Sequence, residues 1–180
     1  MTVSFDLITQ PWVPCVDGEG RPLELGLAET LARSHELREL EGESPLVTAA
    51  LHRLLLAVLH RVFGPAGYES WRALWEAEQF DAAALDAYFD RWRDRFDLFH
   101  PTRPFYQAAD ARVKSKSLTS LAHDIASGNN ATLFDHHTDD AGLTVSPARA
   151  ARYLVVGQAF GLAGLSGLPQ KFTDGASARG

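Results

Sequence analysis

Disulfide chemistry is the first thing this chain lacks: it holds one cysteine, Cys15, in 180 residues. A single thiol excludes an internal disulfide and any zinc site built from several cysteines. Long apolar runs are missing too. The longest, Leu54 to Leu59, is far short of the roughly 20 residues that cross a bilayer. Met1-Thr2-Val3-Ser4-Phe5-Asp6 has neither the basic start nor the apolar stretch of a signal peptide. A soluble cytoplasmic protein with no membrane partner is expected. An excess of positive charge is also absent, since the formal net charge is −6.

What is present is apolar mass. Hydrophobic residues make up 46% of the chain, with ten Phe and four Trp, which is enough to close a core and excludes a disordered chain. The length suits one domain or a little more. The charge is uneven. Residues 98–180 hold eight Lys/Arg and six acids, a net of +2, whereas residues 1–97 hold nine and seventeen, a net of −8. The first part reads as a solvated acidic scaffold. The later part is the one able to face a polyanion, although a surplus of that size is also ordinary.

The N-terminus reads as strands. Phe5-Asp6-Leu7-Ile8 and Gln10-Pro11-Trp12-Val13-Pro14 precede a turn at Asp17-Gly18-Glu19-Gly20, and Pro22-Leu23-Glu24-Leu25 follows. A small antiparallel hairpin is predicted, with its prolines confined to edge positions. Leu27 to Arg33 suits a short helix, and Leu37 to Leu40 another strand.

The middle is helical. Ser44-Pro45 is a capping residue followed by proline at the first helical position. Leu51, Leu54, Leu55, Val58, Leu59 and Val62 then recur at helical spacing up to Gly64-Pro65. Trp71, Leu74 and Trp75 mark a second helix. Asp81 caps a third, whose stripe of Leu85, Tyr88, Phe89, Trp92 and Phe96 is predicted to be core. Its charged face mixes signs, as in ion-pair decoration at about 0.2–0.5 kcal/mol per pair. His100-Pro101-Thr102-Arg103-Pro104-Phe105-Tyr106-Gln107 has two prolines and must be extended or turning. Leu118 to Ala126 suits a short helix, and Ser146-Pro147 opens one that runs through Phe160. The last eight residues bring no closing element, so the chain reads as cut within a loop.

Two segments suit contact better than packing. Ser127-Gly128-Asn129-Asn130-Ala131-Thr132-Leu133-Phe134-Asp135-His136-His137 surrounds one large aromatic with donors and acceptors. Gly161, Gly164 and Gly167 would let bare backbone approach another surface closely, and a flexible linker has the same composition. Gly164-Leu165-Ser166-Gly167 has the wrong spacing for a nucleophile elbow. It also lacks the leading strand of a dinucleotide fingerprint.

One enzymatic alternative is visible. His100, His123-Asp124 and Asp139 or Asp140 follow an order compatible with metal-dependent phosphohydrolases of the HD type, in which a divalent cation activates water. Leu121-Ala122 and Ile125-Ala126 equally give His123 an ordinary helical position. His136-His137-Thr138-Asp139-Asp140 is a weaker metal candidate, because adjacent side chains diverge in an extended loop.

Phe5 to Pro14, His100 to Gln107 and Ser127 to His136, in that order, resemble the large subunit of the type I-E CRISPR surveillance complex, CasA of Cascade. The resemblance covers the whole chain and corresponds to the N-terminal part of that subunit, residues 1–180 here, with the C-terminal helical bundle absent. It implies a binding subunit and not a nuclease. Such a subunit helps recognise the protospacer-adjacent motif (PAM) on double-stranded DNA. It docks onto the other Cascade subunits and the CRISPR RNA, and helps recruit the helicase-nuclease. Guide pairing carries most of the sequence information.

The resemblance places Asn130, Phe134, Asp135 and His136 in a docking loop near the guide RNA 5′ handle. His136 stands where the family has Asn. It places Gly164 and Gly167 in a loop entering the DNA minor groove, with Lys171 able to meet phosphate. The alternatives are the HD-type phosphohydrolase and an adaptor that touches protein only. The expected fold is α+β, mainly helical, with a small antiparallel sheet near the N-terminus. No catalytic residue, cofactor or metal is expected.

Overall fold

The computed structural model describes residues 3–108, 118–122 and 144–161. Three strands, β1 (Val13–Asp17), β2 (Pro22–Leu25) and β3 (Leu37–Leu40), form an antiparallel sheet in the order β2-β1-β3. The described helices are α1 (Leu27–Ala32), α2 (Pro45–Val62), α3 (Tyr68–Glu76), α4 (Ala82–Trp92) and α5 (Pro147–Phe160). This is the expected helical α+β arrangement with its sheet near the N-terminus.

Capping chemistry sets the helix starts where the sequence predicted them. Ser44 Oγ accepts from Val47 N, Asp81 Oδ1 from Ala83 N, and Ser146 Oγ from Arg149 N. Each satisfies a donor that the first helical turn leaves without an internal partner. Helix α2 is long and apolar enough, by length and composition, to cross a membrane. Its Val47, Ala50, Leu51, Leu54, Leu55 and Val58 are buried in the core instead, and His52, Arg53, His60 and Arg61 line its more open side.

Two strand expectations are corrected. Phe5 to Ile8 is not a strand of the sheet. Asp6 makes one isolated bridge to Asp97, and its carboxylate then accepts from Ile8 N and Thr9 Oγ1, which bends the chain. Proline is also not confined to the edges, because Pro14 lies in β1, the central strand. It is tolerated because Leu40, the last residue of β3, pairs with Cys15, so Pro14 faces the end of that ladder. Glu41 N still donates to the Pro14 carbonyl at 3.1 Å.

The core joins sheet, helices and the two proline-bearing motifs. Trp12 is fully buried, and its ring meets Phe105 edge-on at 6.5 Å. Phe105 stacks with Phe96 at 5.8 Å, and Phe96 meets Phe89 of α4 at 5.5 Å. Each fully buried side chain of this size contributes about 1.5–3 kcal/mol. The aromatic stripe of α4 divides, however. Leu85, Phe89 and Phe96 are buried, whereas Tyr88 and Trp92 are half-buried. Trp71 and Trp75 of α3 are exposed at 48% and 74%, so half of the tryptophans lie outside the core. Cys15 is inside it, and burial pushes its thiol up to about 11, which keeps it protonated and unreactive at neutral pH.

Gly26 is fixed by close approach. A Cβ there would lie 2.4 Å from the Ile8 carbonyl oxygen and 2.8 Å from Thr9 C. That contact lets the Leu7 and Ile8 carbonyls accept from Leu27 N and Ala28 N and satisfy the start of α1. Gly26→Ala should cost about 1–3 kcal/mol, the range for forced overpacking. Gly67→Ala should be nearly neutral, because nothing lies within 4 Å of its Cβ position. Urea unfolding of both variants checks this.

Asp97 ties the N-terminal segment to the chain after α4. Burial pushes its carboxyl up, but hydrogen bonds from Ser4 Oγ, Phe99 N and Phe5 N outweigh that and hold it below the usual range. A carboxyl depressed in the folded state stabilises above its unfolded pKa and loses that contribution as pH falls through the folded value. Asp97→Asn should therefore lower stability at pH 7 by about 1–2 kcal/mol, the scale of charge-assisted hydrogen bonds partly open to water. The gap to wild type should close as pH drops below the ordinary carboxylate range. A gap that persists unchanged at acidic pH would show that the charge contributes nothing.

Candidate nucleic-acid interface

Asn130, Phe134, Asp135 and His136 lie outside the described residues, as do Gly164, Gly167 and Lys171. So do His123-Asp124, His137, Asp139 and Asp140. The structure describes the helix that lies between the two candidate segments in sequence. Val145 and Ser146 lead into α5, and Gly161 leaves it. In sequence the two candidate segments flank this one helix. Its 14 residues span about 21 Å at 1.5 Å per residue.

Gly161 has a local role beyond flexibility. Its N–H donates to the Gly157 carbonyl at 2.8 Å, and a Cβ on it would lie 2.3 Å from that oxygen. It ends the helix in extended backbone.

Helix α5 is held along its length. Ala151, Tyr153, Val155 and Val156 are buried, and the helix packs on α2. Near its end, Arg53 of α2 donates to the Ala159 carbonyl at 3.0 Å and sits over the Phe160 ring at 5.6 Å. From the middle of the helix, Arg152 reaches the sheet. Its Nη1 donates to the Trp12 carbonyl at 2.9 Å and to Glu24 at 3.0 Å, and its Nε lies 2.9 Å from Glu43. The Arg152 side chain is only 11% exposed. A small cavity of about 260 Å³, bordered by Leu118, Leu121, Val145 and Leu154, lies beside the approach to α5.

These contacts revise the charge reading, which places Arg152 among the basic residues able to face a polyanion. Arg152 is turned inward onto two acids, whereas Arg103 stays exposed and shares Asp94 with Arg95. The sequence holds no local signal for Arg152, whose partners lie 109 and 128 residues away. Of the phosphohydrolase set, only His100 is described. Its Nδ1 accepts from Thr102 N and Arg103 N at 3.3 and 3.1 Å, which organises the following turn. Among the described residues no group of three or more His, Cys, Asp or Glu could hold a metal.

Residues 6–180 match the family CRISPR-associated protein Cse1. The chain belongs to the Cse1 family. It is 46% identical over 163 residues to the CRISPR-associated protein CasA/Cse1 of Thermus thermophilus, covering 89% of this chain and 32% of that protein. The fold is similar to Cse1 of Thermobifida fusca, with a TM-score of 0.74 at 38% identity over 87% of this chain and 30% of that one. It is also similar to a chain of a solved CRISPR RNA-guided surveillance complex, with a TM-score of 0.77 at 31% identity over 90% of this chain and 35% of that one. The chain thus spans about a third of the length of the Cse1 relatives it matches.

Arg152→Ala should destabilise this Cse1-family fold by about 2–4 kcal/mol, because it strips one buried carbonyl and two carboxylates of their shared donor. Arg152→Lys should recover only part of the loss, since one ammonium cannot span three acceptors as the guanidinium fork does. Thermal unfolding of the two variants reads both effects.

Proposed function

We propose that this chain forms part of a binding subunit of a CRISPR RNA-guided surveillance complex in antiviral defence. In this role it helps recognise the PAM on double-stranded DNA and docks onto the guide-RNA complex. The observation that carries the reading is membership of the Cse1 family, together with the likeness to a chain of an RNA-guided surveillance complex. Its partners are other subunits of the complex, the CRISPR RNA, target DNA and the helicase-nuclease. It acts by binding in the cytoplasm, with no catalytic step of its own.

Phe134 is the centre of the docking loop, with Asn130, Asp135 and His136 supplying polar contacts. Gly164 and Gly167 bring bare backbone to the minor groove, and Lys171 meets phosphate. The minor groove distinguishes mainly A·T from G·C, which suits a permissive reader of a short motif. An acidic chain can take part because basic neighbours in an assembly supply most of the phosphate attraction.

Phe134→Ala should weaken assembly or target binding about 10- to 100-fold, as loss of a buried aromatic anchor does, and leave the fold intact. Wild-type assembly and target binding by that variant would refute the docking loop. Gly164→Val and Gly167→Val should reduce binding to PAM-bearing targets more than binding to guide RNA. Equal losses on targets with and without the PAM would contradict the groove reading. Binding titrations of a reconstituted complex give both results.

A further inference from the structure

An open groove of about 1120 Å³ lies between α2, α4 and the turn at residues 102–108. Ligand pockets for small molecules span roughly 300–1,000 Å³, so an open groove of this size suits an extended chain. Its cations are Arg61, Arg95 and Arg103, and none of its described lining residues is acidic. That is a local reversal in a chain of net charge −6. Asp94, beside the groove, is shared by Arg103 at 2.9 Å and Arg95 at 3.9 Å, so one carboxylate offsets two guanidiniums. Arg61 has no ion pair among the described residues.

The groove wall is aromatic. Tyr88 and Trp92 are the half-buried members of the α4 stripe, and Tyr106 rises from the opposite side. Tyr106 is held at φ 54°, a left-handed conformation that a bulky side chain rarely adopts. Such an outlier persists only where the surroundings enforce it, and it marks contact sites more often than packing. Tyr106 is 43% exposed, and the Phe105 ring lies against its ring with centroids 4.3 Å apart. Burial pushes the Tyr88 and Tyr106 hydroxyls up, so both remain neutral donors at physiological pH.

We propose that this groove binds a single-stranded nucleic acid, with its phosphates on Arg61, Arg95 and Arg103 and a base stacked on Tyr106. A basic groove lined with aromatic faces is how sequence-tolerant single-strand binders work. An acidic peptide would satisfy the arginines but would leave the presented ring without a planar partner. The proposal uses none of the residues of the loop and glycine segments assigned above.

The test is fluorescence anisotropy of the whole 180-residue chain with a 12-nucleotide oligo-uridine, an oligo-thymidine and a glutamate-rich peptide. The oligonucleotide length of about 12 falls within the 4–16 nucleotides that one single-strand-binding module covers. Binding to at least one oligonucleotide is expected, and comparing the two identifies RNA or DNA as the better ligand. Arg61→Ala should weaken it and lower the slope of log affinity against log salt by about 0.7, the value for one phosphate contact on a single strand. Tyr106→Ala should weaken binding about tenfold, as loss of one stacked base does, whereas Tyr106→Phe keeps the ring and should bind normally. Arg72→Ala, on an exposed helix face elsewhere, should change nothing, and circular dichroism confirms that each variant is folded. The proposal is overturned by no oligonucleotide binding up to about 100 μM protein, the weak end of non-specific affinity. Equal effects of Arg72→Ala and Arg61→Ala would overturn it too. So would tighter binding of the acidic peptide than of either oligonucleotide, which would make the groove a protein-docking site.

Discussion

The bond from Arg152 to the Trp12 carbonyl is the interaction on which the arrangement of this molecule turns. It joins residues 140 positions apart. On one side, Trp12 is fixed by burial, by its indole donating to the Leu7 carbonyl at 2.8 Å, and by its edge contact with Phe105. On the other, Arg152 carries α5, the helix that lies between the two proposed contact segments in sequence. A guanidinium suits the place because its planar fork serves a carbonyl and two carboxylates at once. The two acids keep that nearly buried charge compensated.

This junction gives two of the three motifs that carried the resemblance a physical meaning. Trp12 and Phe105 meet in the core, so the Trp-Val-Pro segment and the proline-bearing turn hold one another in place. The turn then has a second face. Phe105 points inward at 4% exposure, while the next residue, Tyr106, is turned outward by its left-handed backbone. Packing and contact thus occupy adjacent positions of a single motif.

Charge is distributed on the same principle. The chain is acidic overall, yet its structure segregates cations by use. Arg152 is neutralised internally, Arg53 caps the end of α5, and Arg61, Arg95 and Arg103 border one groove. Net charge governs long-range attraction, whereas a local cluster governs where a polyanion rests.

Local chemistry was legible in the sequence because its partners are a few residues away. The caps at Ser44, Asp81 and Ser146 each bond within three residues, and the apolar stripe of α2 needs only helical periodicity to find its buried face. The family was legible from three motifs in order. Pro14 in a central strand, the Asp6 turn, the exposure of Trp71 and Trp75, and the division of the α4 stripe into core and groove were not. Each depends on what a distant segment covers, and periodicity reports that a face is apolar without reporting what meets it. The sequence by itself determined the helices, the hairpin and the types of residue available for contact. Only the tertiary structure decided that Arg152 turns inward while Arg61 remains without an ion partner among the described residues, because pairing of charges is settled by three-dimensional proximity and not by order along the chain.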